Sequence, residues 1–414
     1  PAAGSIYNYI ESNIYEGKEV HNEFVSLGFW PGGDRDGNPF VNTEITLKVA
    51  QKLRQSILKN YYRDMRLLRR RLTFKKVVNI VLELEGKLYQ SFINPNKIVL
   101  TYEEFMDGLL KIKDLLINEY QSLYLTELKD LIHKARIFGF YFATLDIRQD
   151  SRIHHQVFQH ITKKLLKEGS HVFPKNYNEM DEASQIEFLS RIKGKISSGD
   201  FKDEMTFKTL GSMEAIRSIQ HSNGETGANR YIISNNQSAL NVMEVYAMLK
   251  LTAFRKELPV DIVPLFETVD DLINASDIME QLYLNKNYRA HVIERGNKQT
   301  IMLGFSDGTK DGGYLMANWS IFKAKEKLTE ISRKHNIKVI FFDGRGGPPA
   351  RGGGKTHQFY ASLGPTIENE EVQLTIQGQT ISSNFGTTDS AQYNLEQLIS
   401  SGVSNQFFDS KKNT

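Results

Sequence analysis

The sequence predicts an α/β protein that is predominantly helical and contains a barrel of parallel strands. Short, continuously apolar segments recur after residue 136, and stretches with helical periodicity lie between them. This alternation is typical of α/β folds, and continuous apolar runs suit strands that are buried on both faces of a parallel sheet. No Gly-x-Gly-x-x-Gly turn follows the first run, which favours a barrel over an open dinucleotide-binding sheet.

Residues 1–135 are expected to form a mainly helical N-terminal part. Between residues 43 and 72 the apolar side chains recur mostly three or four positions apart, which is the stripe of an amphipathic helix. Thr101 and Glu104 have the spacing of a capping box and predict the start of a second helix. A third helix is predicted at about 123–135.

Residues 136–414 are expected to supply the barrel and its active site, with a polar insertion at about 168–200 that contains a helix near 186–192. The predicted strands are 138–147, 231–233, 261–266, 300–305, 338–342 and 372–376, and the helices between them are 239–256, 269–284 and 315–334.

Composition and charge exclude several classes of protein. Lys and Arg number 52 against 49 Asp and Glu, and the resulting charge of +3 is too small for a general nucleic-acid binder. The chain has no cysteine, so disulfides and thiolate metal sites are impossible. No apolar run approaches the roughly 18 residues that a membrane span needs. We therefore expect no nucleic-acid partner and no membrane partner.

Charged residues follow the predicted strands and indicate the chemistry. Because the carboxyl ends of parallel strands meet at one edge, the side chains of Arg148, Glu267, Asp307 and Arg345 are expected to converge there. Glu267 and Asp307 are hard oxygen ligands suited to Mg²⁺ or Mn²⁺, and the arginines match the geometry of carboxylates and phosphates. A small polyanion bridging metal and arginines is the expected ligand. The alternative is that each carboxylate only caps the helix that follows it.

A glycine-rich segment, residues 344–356, has three interpretations. Pro349 stands where a Walker A loop requires glycine, so the phosphate-binding P-loop pattern fails. An Arg-Gly-Gly box for RNA is possible, together with the basic helix face at 63–71, which is most simply a solvated surface. We favour an active-site loop whose glycines allow the backbone to approach an anion, with Arg345 and Arg351 supplying charge.

Two further features have simple structural explanations. Arg35 lies in an acidic-basic-acidic turn and is a candidate for substrate binding, although an internal ion pair with Asp34 and Asp36 is the simpler interpretation. His154 and His155, at the start of a helix, are expected on the surface.

Five segments, in order, together resemble signatures of the phosphoenolpyruvate carboxylase family. They are Phe29-Trp30-Pro31-Gly32-Gly33-Asp34-Arg35-Asp36-Gly37-Asn38-Pro39, Leu145-Asp146-Ile147-Arg148-Gln149-Asp150-Ser151, Pro264-Leu265-Phe266-Glu267-Thr268, Gly304-Phe305-Ser306-Asp307-Gly308-Thr309-Lys310-Asp311, and Gly344-Arg345-Gly346-Gly347 with Arg351-Gly352-Gly353-Gly354.

The resemblance implies a cytoplasmic, usually homotetrameric enzyme on a (β/α)₈ TIM-type barrel. Such an enzyme, a carboxy-lyase, converts phosphoenolpyruvate and bicarbonate to oxaloacetate and phosphate with Mg²⁺ or Mn²⁺. By position, Glu267 and Asp307 look like the metal ligands. The matching residues for substrate binding and catalysis are Arg148, Arg345, Arg351 and, as a supporting cation, Lys310. Another metal-dependent phosphoenolpyruvate or pyruvate barrel enzyme, and the RNA-binding protein above, are the alternatives.

The chain also departs from the family pattern. The upstream Thr-Ala-His-Pro-like segment with a catalytic His is absent, so we expect a central fragment that is inactive by itself. Asp343 stands where relatives usually carry His, and it is expected to add a negative charge beside the anion site. Pro348 and Pro349 replace a more flexible stretch and are expected to stiffen the loop.

Overall fold

The structure is a computed structural model that describes residues 2–15, 24–38, 40–304, 306–346, 356–361, 363–376 and 378–408. The chain divides into two compact units. The first comprises Pro1–Gly32, Glu44–Leu145 and Ser218–Ala228, and the second comprises Gly33–Thr43, Asp146–Arg217 and Asn229–Thr414.

The first unit is mainly helical, and its helices surround one apolar core. Tyr61, Met65, Phe105 and Leu109 are fully buried in this core. Besides the helices there are two short parallel strands. The elements are α1 (Ala2–Asn13), β1 (Gly28–Phe29), α2 (Thr43–Arg69), α3 (Val77–Ile93), α4 (Tyr102–Glu119), α5 (Leu125–Phe138) and β2 (Thr144–Leu145), with β1 paired to β2.

The structure confirms the three helices predicted in this part and adds others. At the start of α4 the Thr101 hydroxyl accepts from the Glu104 amide, and the Glu104 carboxylate accepts from the Thr101 amide, which is the expected capping box. Helices α1 and α3 were not predicted. Helix α3 begins at Val77, and the residue before it, Lys76, makes no side-chain capping hydrogen bond, so the signal that predicted α4 is absent there.

The second unit contains a six-stranded parallel sheet that curls into a half-barrel. Each strand is hydrogen-bonded to the next in chain order. The strands are β3 (Ile147–Asp150), β4 (Arg230–Ser234), β5 (Asp261–Phe266), β6 (Lys298–Leu303), β7 (Lys338–Gly346) and β8 (Val372–Ile376).

Helices alternate with these strands, as the sequence predicts. They are α6 (Ser151–Lys167), α7 (Glu182–Ser190), α8 (Glu204–Asn223), α9 (Ala239–Thr252), α10 (Val269–Leu284), α11 (Lys286–Glu294), α12 (Ser306–Lys334), α13 (Thr356–Ala361), α14 (Gly378–Phe385) and α15 (Thr388–Phe408). Helix α7 is the helix expected within the insertion, and α12 is interrupted at Gly313, where φ is 78°.

The predicted strand at 138–147 is wrong in its first half. Helix α5 continues to Phe138, and a turn with positive φ at Gly139 (47°) and Phe142 (66°) precedes the strands. The apolar run therefore contains a helix end, a turn and two short strands. A continuous apolar run does not distinguish a buried helix end from a buried strand, so periodicity alone misplaced the boundary.

Candidate active site

The structure describes three of the predicted site residues with their side chains: Arg35, Arg148 and Glu267. Arg351 lies outside the described residues. The backbones of Asp307 and Lys310 lie in α12, and that of Arg345 lies in β7, but their side chains are outside the described part of the chain. The site is therefore built below from the strand ends that the structure describes.

Arg148 on β3 is held by the acidic turn near residue 34. Its Nε lies 2.7 Å from Asp34 Oδ1 and its Nη2 lies 3.0 Å from Asp34 Oδ2. Asp36 Oδ2 is 3.6 Å from the same Nη2. The backbone makes a matching bridge, because the Arg148 amide donates to Gly33 and the Arg35 amide donates to Arg148. The turn thus fixes the plane of the Arg148 guanidinium.

Arg148 also interacts electrostatically with Glu267, the residue directly after β5. Burial alone would lower the pKa of Arg148, but the hydrogen bond and charge of Asp34, with Asp36 and Glu267, raise it above its ordinary value. The Glu267 carboxylate is therefore close enough to act electrostatically on this guanidinium. Two predicted site residues that are far apart in the sequence belong to one electrostatic environment.

Arg35 does not make the ion pair with Asp34 and Asp36 that was the simpler interpretation of its turn. It is buried, and its Nη1 donates to the Lys208 carbonyl at 2.9 Å. Burial lowers the pKa of Arg35. The interpretation failed because the two carboxylates turn instead toward Arg148, which lies far away in the sequence.

Glu267 joins the ends of three neighbouring strands. Its Oε2 accepts a 2.8 Å hydrogen bond from the Asn235 amide, directly after β4. The Gly304 amide, directly after β6, donates to the Phe266 carbonyl at 2.8 Å. A Cβ at Gly304 would lie 3.1 Å from Glu267 Cγ. Gly304 therefore lets the chain pass close to Glu267, three positions before Asp307.

The alternative role of Glu267 as a helix cap is wrong. Helix α10 is capped by Thr268, whose hydroxyl accepts from the Asp271 amide, while the Asp271 carboxylate accepts from the Thr268 amide. The Glu267 amide donates to Asp271 Oδ2 at 3.4 Å, but the Glu267 side chain takes no part in this capping box. Its carboxylate is instead directed to the end of β4.

The carboxylate described at this edge is the kind of donor that a hard divalent cation takes. Among the described residues no group of three or more His, Cys, Asp or Glu side chains could hold a metal. Glu267 nevertheless offers carboxylate oxygen at the carboxyl edge of the sheet, and Mg²⁺ in proteins commonly takes only one or two carboxylates and completes its shell with water and substrate oxygens. The backbone of Asp307 lies in the first turn of α12, which follows β6, the strand next to β5.

Asp343 does not present an unpaired charge, contrary to the expectation from its sequence position. It is 4% exposed, and its Oδ2 lies 2.8 Å from Lys325 Nζ and 2.7 Å from the Tyr360 hydroxyl. The buried lysine neutralises the carboxylate. The sequence could not show this, because nothing in the spacing of Lys325 and Asp343 indicates that a helix and a strand bring them together.

His154 was wrongly expected on the surface. It is fully buried, and its Nε2 lies 2.9 Å from the Tyr231 hydroxyl on β4. Burial lowers the pKa of His154 to about 3. His155 is exposed as expected and pairs with Glu244, with 2.8 Å between Nδ1 and Oε1.

The basic helix face at 63–71 is partly neutralised. Arg69 makes an ion pair with Glu85 at 2.9 Å, and Arg66 lies 3.9 Å from the same carboxylate. Arg71 pairs with Glu127. These ion pairs agree with a solvated surface. In the described ranges, no helix combines the length and apolar character needed to cross a bilayer.

A family model for phosphoenolpyruvate carboxylase matches residues 3–92 and 82–414 of this chain. The chain belongs to the phosphoenolpyruvate carboxylase family. A relative named phosphoenolpyruvate carboxylase from Nitrosomonas eutropha is 30% identical over 453 aligned residues, covering 98% of this chain and 48% of the relative. Another of that name, from Nitrosomonas europaea, is 30% identical and covers 93% of this chain and 46% of the relative. The chain thus spans about half the length of these phosphoenolpyruvate carboxylases.

Proposed function

We propose that this chain carries the metal and substrate site of an enzyme that makes oxaloacetate and phosphate from phosphoenolpyruvate and bicarbonate. Family membership supports the reaction class. The observation on the molecule that carries the proposal is that Arg148 on β3 and the Glu267 carboxylate, bonded to the Asn235 amide directly after β4, lie at the ends of paired strands of one sheet. The Glu267 charge also helps to raise the pKa of Arg148.

The proposed reaction has two stages. A bicarbonate oxygen attacks the phosphorus, the bond from phosphorus to the enol oxygen breaks, and carboxyphosphate and the enolate of pyruvate form. Carboxyphosphate then releases phosphate and CO₂. The enolate C3 attacks the carbon of CO₂, and the new C–C bond gives oxaloacetate. Both stages develop negative charge on oxygen, which fixed cations stabilise.

The chain's own cations would bind and orient the anions. Arg148, held in plane by Asp34, offers a fixed positive charge to the carboxylate or phosphate of the substrate. Arg345 at the end of β7 and Arg351 are proposed to hold the same substrate, with Lys310 as a supporting cation. Arg35 is proposed only as a more remote contributor, because its side chain is buried and donates to a backbone carbonyl.

Glu267 and Asp307 are the residues proposed to hold Mg²⁺ or Mn²⁺. When bound, the cation would supply Lewis-acid stabilisation of the enolate oxygen. The charges described at this edge are consistent with a bound cation, because the carboxylates of Asp34, Asp36 and Glu267 raise the pKa of Arg148, and those of Asp36 and Glu267 also raise that of Arg152. An added dication would make the edge attractive to a polyanionic substrate.

From the family we further propose that the enzyme completes the half-barrel as a (β/α)₈ barrel. We also propose that it assembles as a homotetramer and is located in the cytoplasm. We also propose that these 414 residues do not catalyse carboxylation by themselves, since the Thr-Ala-His-Pro-like motif with the catalytic His is not among them.

The test is a coupled assay on the enzyme that contains this chain, in which both oxaloacetate and phosphate are measured. We expect both products only when phosphoenolpyruvate, bicarbonate and Mg²⁺ or Mn²⁺ are all present. Phosphate release that does not depend on bicarbonate would instead indicate a different phosphoenolpyruvate enzyme and would refute the proposal.

A further inference from the structure

Asp343 on β7 is the centre of a polar cluster that links this strand to three other elements of the second unit of the chain. Its Oδ2 receives two hydrogen bonds, from Lys325 Nζ on α12 at 2.8 Å and from the Tyr360 hydroxyl on α13 at 2.7 Å. Its backbone carbonyl accepts from the Thr375 hydroxyl on β8 at 3.4 Å. Strand β7 is therefore anchored at this one residue from several directions.

Lys325 is a buried member of this polar cluster and is unlike a surface lysine. Its side chain is 1% exposed. Its Nζ lies 5.2 Å from the ring centroid of Phe341, 5.3 Å from that of Phe359 and 5.9 Å from that of Tyr360. Aromatic faces stabilise a desolvated ammonium group, and the carboxylate completes its pairing. Removal of either charge would leave the other buried without its partner, which is costly.

The polar cluster lies next to the end of β7, because Asp343 is two positions before Arg345 on this strand. Between Asp343 and Gly346 the pairing of β7 with β8 shifts register, so three steps along β7 match two steps along β8, from Leu374 to Ile376. Such bulges interrupt the ladder hydrogen bonds that would otherwise hold the backbone. A small pocket that is partly open to solvent also borders Gly344. The hydrogen bonds of Asp343 thus hold β7 where its ladder is weakened.

We propose that Lys325, Asp343 and Tyr360 are positioning residues that fix the β7 terminus and thereby the Arg345 contact with phosphoenolpyruvate. The proposal rests on the proposed function, because it assigns these residues a role at that same site. Asp343 precedes the glycine-rich segment in the sequence and Tyr360 follows it, so their hydrogen bond also ties α13 to β7. None of the three residues needs to contact the substrate.

The decisive variant is Tyr360→Phe in the enzyme that contains this chain. It keeps the ring beside Lys325 and removes only the hydroxyl that reaches Asp343. We expect KM for phosphoenolpyruvate to rise about 3- to 30-fold with a smaller change in kcat, since one hydrogen bond is lost and an arginine is slightly misplaced. The backbone amides of residues 344–346 should exchange with deuterium faster than in the wild type. Tyr393→Phe is the matched control, because Tyr393 is 58% exposed.

Lys325→Met tests the charge pair, with Lys323→Met as its control on the same helix. Lys323 is exposed and pairs with Glu326, so its loss should change neither KM nor exchange. If Lys325→Met does not fold, Tyr360→Phe still decides the matter. A Tyr360→Phe enzyme with wild-type KM and wild-type exchange at 344–346 would overturn the positioning role alone. A wild-type enzyme that makes no oxaloacetate would overturn the proposed function, and the positioning role with it.

Discussion

The Arg148 guanidinium lies in plane against the Asp34 carboxylate, with 2.7 Å between Nε and Oδ1 and 3.0 Å between Nη2 and Oδ2. The two residues are 114 positions apart. Planar, two-point pairing of this kind fixes the direction in which the cation acts, and lysine cannot reproduce it. The pairing therefore makes the geometry of Arg148 as important as its charge.

Replacement of Arg148 by Lys should weaken phosphoenolpyruvate binding. The variant keeps the positive charge but loses the two-point contact with Asp34, and we expect a loss of about 10- to 100-fold in affinity, equivalent to roughly 1.5–3 kcal/mol. Titration calorimetry with phosphoenolpyruvate and Mn²⁺ measures the change. Arg152→Lys is the control, because Arg152 also pairs with a carboxylate, Asp150, but is 74% exposed. Equal affinities for Arg148→Lys and wild type would contradict the assignment.

Replacement of Gly304 by Ala should weaken metal binding without a change in any ligand. The added Cβ would lie 3.1 Å from Glu267 Cγ and 3.2 Å from Glu267 Cα, so the glutamate must shift by a few tenths of an ångström. We expect Mn²⁺ affinity to fall about tenfold, as for other disturbances of the groups that orient a ligand. Electron paramagnetic resonance of free Mn²⁺ measures it. Gly364→Ala, where a Cβ meets nothing within 4 Å, should bind Mn²⁺ as the wild type does.

The His155–Glu244 pair should make stability fall as pH rises. Hydrogen bonding to Glu244 raises the pKa of His155, and burial raises the pKa of Glu244 despite the opposing effect of His155. A raised histidine pKa gives stability that is present below its ordinary value of 6.5 and is lost as pH rises through the folded value. The raised pKa of Glu244 likewise makes the free energy of unfolding decrease as pH rises.

The free energy of unfolding, measured with urea between about pH 6.5 and about pH 8.5, should therefore decrease with pH in the wild type. The decrease should be shallower in Glu244→Gln, which removes the buried carboxylate. Glu168→Gln is the control, because Glu168 is exposed and forms an ion pair with Lys164, four positions before it in the sequence. Identical slopes for wild type and Glu244→Gln would show that the pair does not titrate as described.

The sequence predicted the features that depend on local patterns. The capping box at Thr101 and the strand at 261–266 were placed correctly, because a cap and an apolar run are properties of neighbouring residues. The position of Glu267 after β5 also followed from that run. Parallel pairing then brought the ends of β4, β5 and β6 to one edge, as expected for an α/β sheet.

The features that the sequence did not predict depend on pairs far apart in the chain. Asp34 could have paired with its neighbour Arg35, and only the fold shows that it turns to Arg148. His154 follows polar residues at a helix start, and only the position of Tyr231 on β4 explains its burial. The neutralisation of Asp343 by Lys325 is of the same kind. Partner choice among charged groups is decided by tertiary structure.

The most direct test of the central claim is a crystal of the enzyme soaked in Mn²⁺ and examined by anomalous scattering. We expect a peak within metal-ligand distance, about 2.0–2.2 Å, of carboxylate oxygens of Glu267 and Asp307, at the edge where Arg148 lies. The peak should disappear in Glu267→Gln. A Mn²⁺ ion bound elsewhere, with no density beside Glu267 in the wild type, would contradict the claim that one cation and one substrate are held at this edge.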